Sequence, residues 1–169
     1  ALAAFERALA LQPAFAWAWY NKGIVHERLK EYDEALVAYA RAAEINPYDV
    51  WAAYNRARLL MERGQLEAAL QGVQAVLNID ADHALSHVLR GRILLRLQQP
   101  REALAAFDHA LQLDRELGEA LIGRGEALSA LRQYTEATSA FLQASRLLPK
   151  DVSTWLRLAD IYLNNGDVA

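Results

Sequence analysis

His83 and His87 stand four residues apart, the spacing that brings two imidazoles to one face of a helix where they can ligate a metal ion. A metal site needs further ligands, and the sequence marks no third one beside them. The same spacing also serves two histidines packed against a neighbouring helix. The chain has no cysteine, which removes thiolate ligands, a cysteine nucleophile and a disulfide framework. Acidic pairs such as Asp33-Glu34 follow short breaks between apolar stretches and read as charge at the start of a helix, not as a general acid and base. No glycine-rich phosphate loop and no Ser/His/Asp set is visible. The expectation is a non-enzyme that uses no cofactor and no metal.

Composition narrows the elements that must position whatever this chain does. Hydrophobic residues make up 54% of the 169 and charged residues 23%, a balance unlike that of a disordered chain. Only 8 Gly and 4 Pro are present, too few for the turns of an all-β protein, while Ala, Leu, Glu, Arg and Gln favour helix. A net charge of −3 argues against the basic face of a nucleic-acid binder. The apolar runs fall short of the ~20 residues that cross a bilayer, so no membrane partner is expected.

The chain repeats with a period of 34, giving aligned blocks at 16–49, 50–83, 84–117 and 118–151. The eighth position of each block is small: Gly23, Ala57, Gly91, Gly125. The twentieth is alanine: Ala35, Ala69, Ala103, Ala137. Four further on stand Tyr39, Val73, Phe107 and Phe141, and three beyond those Ala42, Val76, Ala110 and Ala144. Small residues let two helices approach, and the large ones fill the grooves beside them. Each block holds two apolar-periodic helical stretches separated by a short break: Lys30-Glu31-Tyr32, Arg63-Gly64-Gln65, Gln98-Gln99-Pro100 or Arg132-Gln133-Tyr134. Breaks this short join antiparallel helix pairs. Residues 1–15 align with the second half of a block through Ala1, Phe5, Ala8 and Pro13, and residues 152–169 with the first half through Trp155, Ala159 and Tyr162. Ala1 does not look like a natural start, and further repeats or another domain are expected in the parent protein. A cytoplasmic location is the expectation.

This pattern resembles the tetratricopeptide repeat, with Trp19, Gly23, Ala35, Tyr39, Ala42 and Pro47 on family positions, and Gly125, Ala137, Phe141, Ala144 and Pro149 in the fourth block. The second block is the weakest match, with Val73, Val76 and Ala81 in place of Phe, Ala and Pro. The resemblance implies an all-α solenoid of antiparallel helix hairpins forming a right-handed superhelix, a single array over 1–169, with first helices lining a concave groove. One departure recurs: the seventh position, usually Leu in the family, is Lys22, Arg56, Arg90 and Arg124. Long cationic side chains can lay their stems between helices and keep their heads in water; the other reading is a basic ladder.

The implied function is a protein-interaction scaffold that binds an extended peptide or partner segment in that groove. Helical spacing puts Trp17, Tyr20 and Asn21, then Trp51, Tyr54, Asn55 and Arg58, then Leu85, Leu89, Arg92 and Arg96 on one face of the first helices. The aromatics suit apolar anchoring. Asn21 and Asn55 share a repeat position and suit a bound main chain, resembling the asparagine ladder of family members that hold extended peptides. Arg58, Arg92 and Arg96 suit an acidic group, although Arg58 can also pair with Glu62 on its own helix. The expected partner is a protein or peptide of acidic-apolar character. The two-carboxylate clamp of chaperone-binding members is matched here at Asn55 alone, while Tyr20, Ile24, Leu85 and Leu89 fill its other places, so a chaperone tail is not the expected ligand. Two alternatives stand beside the groove: head-to-tail self-association through open repeat ends, and a substrate-recognition arm of a larger enzyme.

Overall fold

The structure is a computed structural model that describes the chain through Asn165, with side chains through Leu163. Ten helices and no strand occur among the described residues. They are α1 (Leu2–Leu11), α2 (Ala16–Arg28), α3 (Tyr32–Ile45), α4 (Val50–Glu62), α5 (Leu66–Ile79), α6 (Ala84–Arg96), α7 (Pro100–Leu113), α8 (Gly118–Ala130), α9 (Tyr134–Leu147) and α10 (Val152–Asn165). The order is a lone second helix, four hairpins and a lone first helix, as the periodicity predicts. Helices α3 and α9 begin on Tyr32 and Tyr134, residues the sequence places in the breaks. Asp33, Glu34, Glu67, Glu102 and Glu136 lie in the first turns of second helices, against the positive end of the helix dipole.

Every hairpin turns in the same way. Lys30, Gly64, Gln98 and Arg132 all have φ between 59° and 77°, in the left-handed region. The N–H of the next residue reaches back to close the first helix: Glu31 to His26, Gln65 to Leu60, Gln99 to Leu94 and Gln133 to Leu128, each at 2.9 Å. This is the Schellman closure, in which glycine escapes the Cβ penalty that other residues meet at positive φ. Three of the four turns carry that penalty. Gln98→Gly is therefore expected to raise stability by about 0.5–1 kcal/mol, and Gly64→Ala to lower it by a similar amount. Urea unfolding of the two variants checks the opposite signs.

The helices group into two compact units, Ala1–Ala81 and Asp82–Ala169. In the first, α1 packs on α2, α2 on α3, α3 on α4 and α4 on α5. Its core gathers Ala35, Tyr39 and Leu59, with Tyr20, Ile24, Tyr32 and Leu36 against them. In the second, α6 packs on α7 and α8, α7 on α8, α8 on α9 and α9 on α10. Leu128, Ala137, Ala140, Phe141, Leu158 and Ile161 form one core there. The small residue at the eighth position has a measurable reason. A Cβ added to Gly23, Gly91 or Gly125 would stand 2.6–2.7 Å from the ring of Tyr39, Phe107 or Phe141 respectively.

Of the seventh-position cations, Lys22 in the first unit and Arg124 in the second are paired with acids. Lys22 lies 3.6 Å from Glu6 of the preceding second helix and 5.4 Å from the centre of the Trp19 ring. Arg124 donates to Asp108, again on the preceding second helix, at 2.7 Å. Lys22, Arg90 and Arg124 are half-buried, and Arg56 is exposed.

Candidate functional site

In the first unit, α2 and α4 present the aromatic and amide residues together. The Trp17 ring, exposed, stands edge-on to Phe5 at 6.0 Å and tilted against Phe15 at 5.8 Å. Trp51, also exposed, meets Tyr54 edge-on at 6.1 Å. Tyr20 is half-buried, its ring 6.0 Å from that of Tyr39. Both asparagines already make one internal bond: Asn21 Nδ2 donates to the Trp17 carbonyl at 2.8 Å, and Asn55 Nδ2 donates to the Tyr20 hydroxyl at 3.1 Å. Each amide retains an oxygen and a second N–H for other groups.

Arg58 is committed to acids of its own unit. It bonds Glu27 on α2 and, at 2.8 Å, Glu62 on its own helix. The other oxygen of Glu27 accepts the Tyr39 hydroxyl at 2.9 Å. Burial disfavours the Arg58 cation, but the bonds and charges of Glu27 and Glu62 outweigh it and hold the guanidinium above its ordinary pKa. The expected grouping of Arg58 with Arg92 and Arg96 as an acid-attracting set loses Arg58, whose charge two carboxylates already neutralise. Ile24, Glu27, Arg28, Tyr39, Asn55 and Arg58 line a cleft of about 230 Å³ over this network.

Tyr39 is held as the neutral phenol. Burial, then the hydrogen bond and charge of Glu27, push its pKa far above the usual tyrosine value. A group whose pKa is raised in the folded state contributes stability that is whole below its unfolded pKa, about 10 for tyrosine, and is lost as pH rises toward the folded value. Alkaline unfolding of the wild type is expected to set in above about pH 10 and to be shallower in Tyr39→Phe. Denaturation midpoints measured from neutral pH upward in both proteins check this.

In the second unit, α6, α8 and α10 supply Arg92, Glu119, Ile122, Gly123, Glu126, Ser153 and Arg157 around a cleft of about 240 Å³. Arg157 donates through Nε to Glu126 at 2.6 Å and through a terminal nitrogen to the Ser153 carbonyl at 3.2 Å. Arg92 is exposed and makes no hydrogen bond or ion pair among the described residues. The reason lies in register. Glu27 pairs with Arg58, and Glu126 with Arg157, across a separation of 31 residues. In both pairs the acid stands 31 residues before the arginine, and 31 residues before Arg92 the sequence has Met61, which carries no charge. Arg96 is exposed one turn along the same helix, and Leu85 is half-buried.

Leu89 departs from the expected face. It is 2% exposed and belongs to the core, so it offers a ligand no surface. Asn21, Asn55, Leu89, Gly123 and Arg157 share one repeat position, and at Asn55 and Arg157 the side chain bonds a residue on the preceding first helix of its own unit. The position is half-buried at Asn21, Asn55 and Arg157 and closed at Leu89 and Gly123. Glu27, Glu126 and Arg157 are the groove residues whose part sequence reasoning missed. The 31-residue spacing of opposite charges was the signal that could have found them.

The histidines pack. His87 is buried and stacks on His109 of α7 with ring centres 4.1 Å apart and planes 14° from parallel. His83 Nδ1 and the Ser86 hydroxyl lie 2.7 Å apart. Among the described residues no three His, Cys, Asp or Glu side chains gather as metal ligands. None of the described helices is long and apolar enough to cross a membrane.

Stacked antiparallel hairpins with a polar and aromatic first-helix face define a helical-repeat scaffold for protein interaction. The chain belongs to the tetratricopeptide repeat family, whose models match residues 16–49, 38–71, 84–117 and 117–169. Members of this family are typically non-catalytic. No curated protein sequence matches the chain. Among solved structures, a tetratricopeptide repeat protein from Parabacteroides merdae is similar with a TM-score of 0.85 and 24% identity, over 98% of this chain and 66% of that one. YrrB, described as a TPR protein with an unusual peptide-binding site, gives 0.78 and 21%, over 99% and 87%. The first TPR of Spaghetti (RPAP3), bound to the HSP90 peptide SRMEEVD, gives 0.67 and 19%, over 69% and 93%.

Proposed function

We propose that the first-helix face binds extended peptide segments, and that in the second unit Arg92 receives an acidic group of the ligand. The observation that carries this reading is the contrast among cations. Arg58, Arg124 and Arg157 are each bonded to a carboxylate, whereas Arg92 stands exposed beside Ile122 with no such partner among the described residues. A guanidinium in that state can take a carboxylate through two parallel N–H bonds without first breaking an internal pair. Ile122 at the same cleft suits an apolar neighbour of the acid. In the first unit, exposed Trp17 and Trp51 offer large rigid surfaces for apolar side chains, and the unused amide atoms of Asn21 and Asn55 suit a peptide main chain. YrrB, with its peptide-binding site, and the peptide-bound TPR of RPAP3 support the reading by analogy of fold, and the RPAP3 ligand, SRMEEVD, is itself acidic.

The test is selection of peptides from a random display library on the immobilised chain, followed by affinity measurement against wild type and Arg92→Glu. Selected peptides are expected to carry Asp, Glu or a terminal carboxylate beside apolar residues. Arg92→Glu is expected to weaken them by about tenfold or more, since a hydrogen bond to a charged group contributes about 1.5–3 kcal/mol. The loss should shrink as salt rises and screens the exposed charge. Peptides without acidic residues, or equal binding to both proteins, would contradict the role given to Arg92.

A further inference from the structure

A network that satisfies itself in the first unit has lost its parts in the second. In the first unit, Tyr39 donates to one oxygen of Glu27 and Arg58 bonds the other. Three periods of 34 residues on, the same positions hold Ser129, Phe141 and Asp160. Phe141 brings no hydroxyl. Ser129 brings a short hydroxyl in place of the Glu27 carboxylate, and Asp160 brings an acid in place of the Arg58 cation.

The exchange leaves a cleft of about 290 Å³ between α8, α9 and α10, lined by Ser129, Tyr134, Phe141, Asp160 and Ile161. These three helices correspond to α2, α3 and α4 around the equivalent cleft of the first unit. The Ser129 hydroxyl oxygen is buried and has no hydrogen-bond partner. A buried hydroxyl left unpaired costs free energy that a ligand bonding to it removes. Asp160 is exposed and makes no hydrogen bond or ion pair among the described residues. Glu126 and Arg157 stand at the same cleft but neutralise each other through a 2.6 Å bond. Asp160 is therefore the uncompensated charge of the cleft, and its sign favours a cation.

Taking peptide binding by the first-helix face as given, we propose that this cleft receives a lysine or arginine side chain of the bound segment. Its charged end meets the Asp160 carboxylate and donates to the Ser129 hydroxyl oxygen. Its methylene stem lies against the half-buried Tyr134, beside the buried Phe141 and Ile161. The Arg92 cleft and this one share Glu126 and Arg157, so the two adjoin across that ion pair. The segment that fits both carries an acidic residue at Arg92 and a basic one at Asp160, and neither charge displaces an internal partner. A segment acidic throughout would bring a like charge to Asp160 and is selected against.

The test is selection from a random peptide display library on the 169-residue chain, as wild type and as Asp160→Asn, a change at an exposed position that leaves the fold in place. Peptides selected on wild type are expected to carry Lys or Arg together with the acidic residue. Asp160→Asn is expected to bind them about three- to tenfold more weakly and, as bait, to lose the preference for a base while keeping that for an acid. Replacing the Lys or Arg of a selected peptide with Gln should weaken binding to wild type by a similar factor and leave binding to Asp160→Asn unchanged, the coupling expected of a direct contact. The double variant Ser129→Glu/Asp160→Arg rebuilds the ion pair of the first unit and is expected to abolish the preference for a base. Acidic peptides that depend on Arg92 yet show no such preference would overturn this assignment and leave that of Arg92 standing. So would a basic residue whose replacement weakens binding to wild type and Asp160→Asn alike. Basic peptides coupled to Asp160 but indifferent to Arg92→Glu would uphold it and overturn the role of Arg92. A library that yields no binder would overturn both.

Discussion

Replacing Phe107 with alanine is expected to cost about 3–5 kcal/mol, the range found for removing a buried aromatic ring from a packed core. Phe107 has no solvent exposure. Its ring lies against the backbone of Gly91 on α6, where a Cβ would come within 2.6 Å, and against Gly123 on α8 as well. Two first helices and one second helix thus meet on a single side chain, and α6 and α8 also pack on each other directly. Backbone that close cannot follow the retreat of a ring without moving whole helices, so the cavity persists and the loss falls at the upper end of the range. Glu44→Gln supplies the contrast. Glu44 pairs with Arg41 at 2.7 Å with both side chains 61% exposed, and such a pair contributes less than about 1 kcal/mol. Urea midpoints of the two variants, measured side by side, should differ several-fold in their distance from wild type.

Ala137→Leu is expected to cost about 1–3 kcal/mol for the opposite reason. Ala137 is fully buried at the start of α9, in a core shared with Leu128, Ala140, Phe141, Leu158 and Ile161. A larger side chain there pushes α9 away from its partners. Thermal unfolding followed by circular dichroism should show a lower midpoint in this variant. A midpoint equal to that of Glu44→Gln would mean that the repeat register is wrong.

The fold was legible because small and large apolar residues recur at fixed places, and those places are where helices meet. Gly23 under Tyr39, Gly91 under Phe107 and Gly125 under Phe141 are pairs that the period alone predicts. The hairpin turns were legible as breaks, but not as left-handed residues, because Lys30, Gln98 and Arg132 occupy a conformation that only Gly64 advertises. The site was legible in part. Helical spacing found the pairing of Arg58 with Glu62, four residues apart. It did not find Glu27 with Arg58 or Glu126 with Arg157, because those pairs depend on how successive repeats stagger. Leu89 is buried while Arg92, three residues later on the same helix, is exposed. A face drawn on one helix gives the residues that point outward from it. Which of them still meet water is decided by the neighbouring first helix.

Amide chemical-shift mapping by NMR, with an acidic peptide selected on the wild-type chain, tests the central claim most directly. If the first-helix face is the binding site, the largest shifts in the second unit fall on α6, α8 and α10 around Arg92, Ile122, Gly123 and Arg157, and they vanish in Arg92→Glu. Shifts concentrated instead on the outer sides of α7 and α9, and unchanged by Arg92→Glu, would contradict it.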